Sequence, residues 1–162
     1  MNDLPGWLKP TTVWLLLGLL LFLGVQAWQA QQRATRFTID GQTLEIRRSG
    51  DGHYHWPGRV GNREVEFLVD TGATGTAIPA ALARELGLQA VGSMQSSTAG
   101  GVVTGQFVVG DLQLQGGVRA ERLRMAALPT LSSPLLGMDV LGKLRWQQDN
   151  GVLKIELQGG AP

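Results

Sequence analysis

Phe67-Leu68-Val69-Asp70-Thr71-Gly72-Ala73-Thr74 is the stretch that decides how this chain is read. Three apolar residues run directly into an acid, and a Thr-Gly pair then turns the chain. Upstream, Glu64-Val65-Glu66 alternates before the run becomes wholly apolar, the pattern of a strand that enters a core as it proceeds. A carboxylate is therefore expected at the end of a buried strand. Burying an ion is costly unless it is paired or hydrogen-bonded. Gly72 leaves a backbone N–H approachable at close range, and the Thr71 hydroxyl can brace the loop. Asp-Thr-Gly alone has little specificity, because Asp and Gly are ordinary turn residues. After three core residues it points to a carboxylate with a chemical task, since a turn Asp normally follows a polar strand end.

Working outward, Thr76-Ala77-Ile78 reads as a short strand. Pro79 suits the first position of a helix over Ala80 to Leu86, where Leu82 and Leu86 share a face and Gly87 ends it. Ser93 to Gly105 is small, polar and Gly-rich. Within it, Ser96 to Thr104 reads as a hairpin with Ala99-Gly100-Gly101 at its tip. Gln106 to Val109 and Leu112 to Leu114 read as strands around a Gly110-Asp111 turn, and Leu123 to Leu128 as another. Pro134 to Met138 is a buried apolar segment, followed by a short helix over Asp139 to Leu144 with Asp139 as candidate N-cap. Trp146-Gln147 and Val152 to Leu157 pair across Asp149-Asn150-Gly151. On the other side, Phe37 to Ile39 and Thr43 to Arg47 flank Asp40-Gly41, a hairpin signal. Ser49 to Gly52 breaks the chain again before His53 to Trp56. Many short strands, together with 23 glycines, imply an all-β domain.

Composition removes whole classes of chemistry. The chain of 162 residues has no cysteine, so disulfides, zinc–thiolate sites and thiol catalysis are excluded. A net charge of +1 offers nothing to nucleic acid. His53 and His55 would share a strand face, but no third ligand lies nearby, so no metal is expected. Ser132-Ser133 lacks the setting of a nucleophilic serine. Gly100-Gly101 lacks the helix and lysine of a phosphate loop.

Pro10 to Gln32 carries no charge, and Val13 to Val25 is almost pure hydrocarbon. Thr11 to Trp28 as a helix would run about 27 Å, close to the ~30 Å bilayer core. Trp7, Trp14 and Trp28 sit at or near its ends, where indoles favour the interface. The reading is a membrane anchor. A cleaved signal peptide is the alternative, with Val25-Gln26-Ala27 as its site and only Lys9 in its basic region. Lys9 lies on one side of the run and Arg33 and Arg36 on the other, so charge gives no support to an N-inside orientation.

Phe67 to Thr74 resembles the active-site motif of retropepsin-like aspartic proteases. Leu135-Leu136-Gly137-Met138-Asp139-Val140-Leu141 resembles their second signature, and the spacing of the two suits one lobe. The likeness is nearest to a bacterial, membrane-anchored, periplasmic branch. It implies an all-β fold, a closed acid-protease barrel with short helices behind one transmembrane helix. It divides the chain into a tail (1–9), an anchor (10–32), a linker with a possible hairpin (33–50), the protease domain (51–158) and a tail (159–162). It also implies hydrolysis of peptide bonds without a cofactor. Asp70 would be the catalytic carboxylate and Thr71, Gly72, Ala73 and Thr74 its loop. Ala99, Gly100 and Gly101 would form a flap over the substrate, and Leu135, Leu136 and Gly137 the supporting second signature. Such enzymes share one proton between two carboxylates. With one Asp-Thr-Gly per chain, a homodimer is implied, with Thr71 reaching across to the partner's loop. Thr74 departs from viral enzymes, which carry a second acid there. The expected location is the bacterial inner membrane, with the protease domain in the periplasm. The alternative reading is a non-catalytic peptide-binding or dimerisation module of the same fold.

Overall fold

The structure is a computed structural model describing residues 8–34, 37–40, 42–98 and 101–157. The chain forms two compact units, Met1–Phe37 and Thr38–Pro162. The first holds α1 (Leu8–Ala34). Its described side chains, residues 12–27, are all exposed, Leu15 and Trp14 most of all. Among the described residues, no helix is long and apolar enough to cross a membrane.

The remaining elements are β1 (Phe37–Asp40), β2 (Thr43–Arg47), β3 (His55–Val60), β4 (Arg63–Val69), β5 (Ala77–Pro79), α2 (Ala80–Glu85), β6 (Ala90–Thr98), β7 (Gly101–Leu114), β8 (Arg119–Leu128), β9 (Leu135–Leu136), α3 (Met138–Leu141), β10 (Arg145–Asp149) and β11 (Val152–Glu156). Seven strands lie in the order β3-β4-β9-β5-β8-β7-β6, and a further β3–β7 pairing closes six of them into a barrel. Closure requires a close backbone approach. A Cβ at Gly58 would stand 2.7 Å from the Gln113 carbonyl oxygen, so only glycine fits there. Trp56 and Phe67 face each other across β3 and β4 and are fully buried. The Trp56 indole N–H is satisfied by the Gln115 carbonyl at 2.8 Å. A second sheet, β1-β2-β11-β10, packs its Leu44, Ile46, Leu153 and Ile155 face inward. Its Asn150-Gly151 turn has both residues at positive φ, as a two-residue hairpin demands.

Three local expectations change. Gly110-Asp111 is not a hairpin turn but an irregularity inside the continuous strand β7. There Asp111 Oδ1 accepts the Arg122 N–H at 2.8 Å, and Arg122 adopts φ 50°. Pro79 caps α2 rather than occupying its first turn. The hairpin expected over Ser96 to Thr104 is the end of a longer one, β6 against β7, reaching back to Ala90 and Val108.

The break at Ser49 to Gly52 is tied by Asp51. Its carboxylate accepts the His53 N–H at 3.0 Å and lies 2.7 Å from His55 Nε2. These contacts, the His53 amide first, hold the Asp51 carboxyl below the usual range. His55 Nδ1 lies 3.9 Å from Glu66.

Candidate active site

β4 ends at Val69 and delivers Asp70 to the rim of the barrel. The backbone fixes it from two directions. The Asp70 N–H donates to the Leu136 carbonyl at 3.0 Å, and the Asp70 carbonyl accepts the Ala73 N–H at 3.2 Å. Asp70 Oδ1 accepts the Gly72 N–H at 2.9 Å, the role expected of a glycine at that position. The carboxylate is half-buried and not enclosed, because Leu68 and Val69 are half-buried too and only Phe67 reaches the core. Thr71, Gly72 and Thr74 are exposed. One face of the loop is thus bonded to the barrel and the other is open.

The second signature is what holds the first. β9 pairs parallel to β4, with Leu68 opposite Leu135 and Val69 opposite Leu136, and antiparallel to β5 through Ala77 and Leu135. It therefore lies between the two strands that the Asp70 loop connects, and the loop must cross it. The crossing is at Gly137. A Cβ there would stand 2.4 Å from the Gly75 carbonyl carbon and 2.6 Å from its oxygen. Beyond it, the Met138 N–H donates to the Ala73 carbonyl at 2.8 Å and the Asp139 N–H to the Thr74 carbonyl at 3.1 Å.

Asp139 is the residue whose role sequence reasoning missed. Gly137, not Asp139, is the N-cap of α3. The Asp139 carboxylate accepts the Thr76 N–H at 3.0 Å, the Thr76 hydroxyl at 2.8 Å and the Val140 N–H at 3.0 Å. Thr76 Oγ1 in turn accepts the Gly137 N–H at 3.3 Å. Asp139 thus ties the end of the Asp70 loop to α3. Thr76 is only 1% exposed, so its amide and hydroxyl have no water to fall back on. Asp139→Ala should cost about 1–3 kcal/mol, the usual penalty of stranded buried donors, and Asp139→Asn less. Denaturant midpoints of the two variants check this; equal midpoints would remove the brace.

The flap residues fall at the connection of β6 and β7. Ala99 and Gly100 lie outside the described residues. Gly101 opens β7 opposite Thr98, at φ 109° and exposed.

Comparison with known proteins now bears on this arrangement. The family profile described as aspartyl protease matches residues 56–140, just over half of the 162-residue chain. No curated protein matches. Among solved structures, the chain is similar to a retropepsin-like aspartic protease from Rickettsia conorii, with 23% identity, a TM-score of 0.57 and coverage of 71% of this chain and 90% of that one. The simian foamy virus protease is also similar, at 19% identity and a TM-score of 0.42, covering 54% of this chain and 91% of that one. The Rickettsia likeness shows the fold to be retropepsin-like. Matched from Trp56 through the Asp70 loop to the helix that Asp139 ties to it, the chain belongs to the aspartyl protease family.

Proposed function

We propose that this protein is an aspartic endopeptidase whose site is completed by a second copy of the chain. The observation that carries the reading is the unequal use of two acids. Asp139 is committed to Thr76 and Val140, whereas the Asp70 carboxylate, among the described residues, keeps only the Gly72 N–H on a loop with an open face. The second carboxylate of an aspartic site must therefore come from elsewhere, and Asp70 of the partner subunit is the group that a twofold pair supplies.

Two carboxylates close together hold one proton between them. The ionised one takes a proton from a water molecule as its oxygen attacks the peptide carbonyl carbon. The protonated one gives its proton to the carbonyl oxygen. The dyad's proton then passes to the nitrogen as the C–N bond of the gem-diol intermediate breaks, and one of the intermediate's hydroxyls gives its proton back to the dyad, which returns to one proton. Substrate lies extended beneath the β6–β7 hairpin, which acts as the flap and excludes water. No cofactor takes part. The uncharged run from Pro10 to Gln32 serves as a membrane anchor, with the protease domain on the periplasmic side of a bacterial inner membrane. Anchoring raises the local concentration of chains and so favours pairing.

The full-length chain in mild detergent, given an unstructured protein substrate, should cleave it. A statine-type analogue, which carries a hydroxyl in place of the intermediate's, should inhibit it. Sedimentation alongside the assay tests the shared site: a strictly monomeric species that cleaves at the full rate defeats it.

A further inference from the structure

Arg124 is a cation held in place without an acid. Its guanidinium carbon stands 3.6 Å from the centre of the Phe107 ring. The ion pairs among the described residues all lie elsewhere. Arg124 is exposed and Phe107 half-buried, so the ring is a seat and the charge stays open to solvent. A seated guanidinium loses less freedom on binding than a free one, and its planar fork of donors suits a carboxylate.

Strand register places this pair. Leu68, two residues before Asp70, lies beside Leu135, Leu135 beside Ala77, Ala77 beside Ala126 and Ala126 beside Phe107. Neighbours across strands share a face, so these five form one apolar row. Arg124, two residues earlier on β8 than Ala126, shares that face. Carrying the β5–β8 register back by two residues sets Arg124 level with Gly75, at the end of the Asp70 loop. The Ala126 N–H, donated to the Thr76 carbonyl at 3.0 Å, holds that alignment. Neither Gly75 nor Gly92, which lies opposite Phe107 on β6, has a side chain to screen the pair. Phe107 itself stands at the root of the β6–β7 hairpin, so the seat lies between the open face of the Asp70 loop and the flap.

The same register sets a distance. From β4 to β8 the sheet takes three steps, through β9 and β5, which at ~4.8 Å each is about 14 Å. An extended peptide covers that in about four residues at ~3.3 Å each.

We propose that Arg124, seated on Phe107, is a specificity-determining residue that takes a substrate carboxylate about four residues from the scissile bond. The inference rests on the protease reading above and names its substrate class, extended segments with an acidic residue flanking the bond that is cut. In a twofold pair, Arg124 of the partner subunit offers a second seat on the other side of that bond. A substrate with acids about eight residues apart engages both.

The test gives the full-length chain, in mild detergent, a degenerate peptide library and reads the residues around each cut by mass spectrometry. Wild type should favour Asp and Glu over Lys about tenfold near the fourth position from the bond. On single peptides that differ only there, the preference should lie in KM and shrink as salt is added. Arg124→Gln should abolish the preference and Arg124→Glu should reverse it towards Lys. Phe107→Leu keeps the charge but frees the arginine, and should leave about threefold. Circular dichroism confirms that each variant is folded. Cuts without an acid preference, or a preference that survives Arg124→Glu, overturn the proposal and leave the protease reading standing. If nothing is cut, the protease reading falls and the proposal falls with it.

Discussion

Asp70→Asn should lower turnover by about 10²–10⁴-fold, the range that a lost acid–base group commands, while the fold survives. The carboxamide keeps an oxygen where Asp70 Oδ1 accepts the Gly72 N–H, so the loop retains its turn. The site is half-buried and open on one face, so the exchange should shift stability by less than ~1 kcal/mol. What the amide cannot do is take a proton from water or pass one to the leaving nitrogen. Mixing sharpens the result. When inactive Asp70→Asn chain replaces part of the wild type at constant total concentration, above the pairing concentration, mixed pairs carry one carboxylate each. Activity should then fall as the square of the wild-type fraction. A site complete within one chain would fall linearly instead. Full activity of the variant alone would end the protease reading.

The parts of this molecule that were legible in its sequence are those decided by neighbours along the chain. Asp70 stood out because three apolar residues precede it and Thr-Gly follows. The β10–β11 hairpin was readable because Asn150-Gly151 alone demands positive φ. Closure of the barrel was not readable as a pairing, because β3 meets β7 across a long separation and the only trace is Gly58. Gly110-Asp111 carried ordinary turn chemistry and was outvoted by continuous pairing with β8. Asp139 misled for a related reason. An acid at the start of a helix reads as a cap, and its real partner, Thr76, lies on another strand end brought near only by the crossing of two loops.

That crossing sets the second large effect. Gly137→Ala should damage the protein severely, and no property of residue 137 in isolation says so. Its φ of −94° is open to any residue, so backbone strain is not the reason. The reason is that the added methyl would meet three backbone atoms of Gly75 at 2.4, 2.6 and 2.9 Å. Backbone does not swing aside as a side chain can, so the two loops must separate. Overpacking of this kind costs about 1–3 kcal/mol or more, and each kcal/mol lowers the melting temperature by about 4 °C in a domain of this size. The loop that must move carries Asp70, and misplacement of a catalytic group by ~1 Å can cost 10²-fold in rate. Turnover should therefore fall further than the loss of folded protein explains. Gly75→Ala is the control across the crossing. Its methyl would meet only Asp139 Oδ2, at 3.9 Å, an ordinary contact, so it should melt close to wild type. If both variants melt together, the glycines matter only as flexible links. If Gly137→Ala alone collapses, the close approach of the two loops is what holds Asp70 in place.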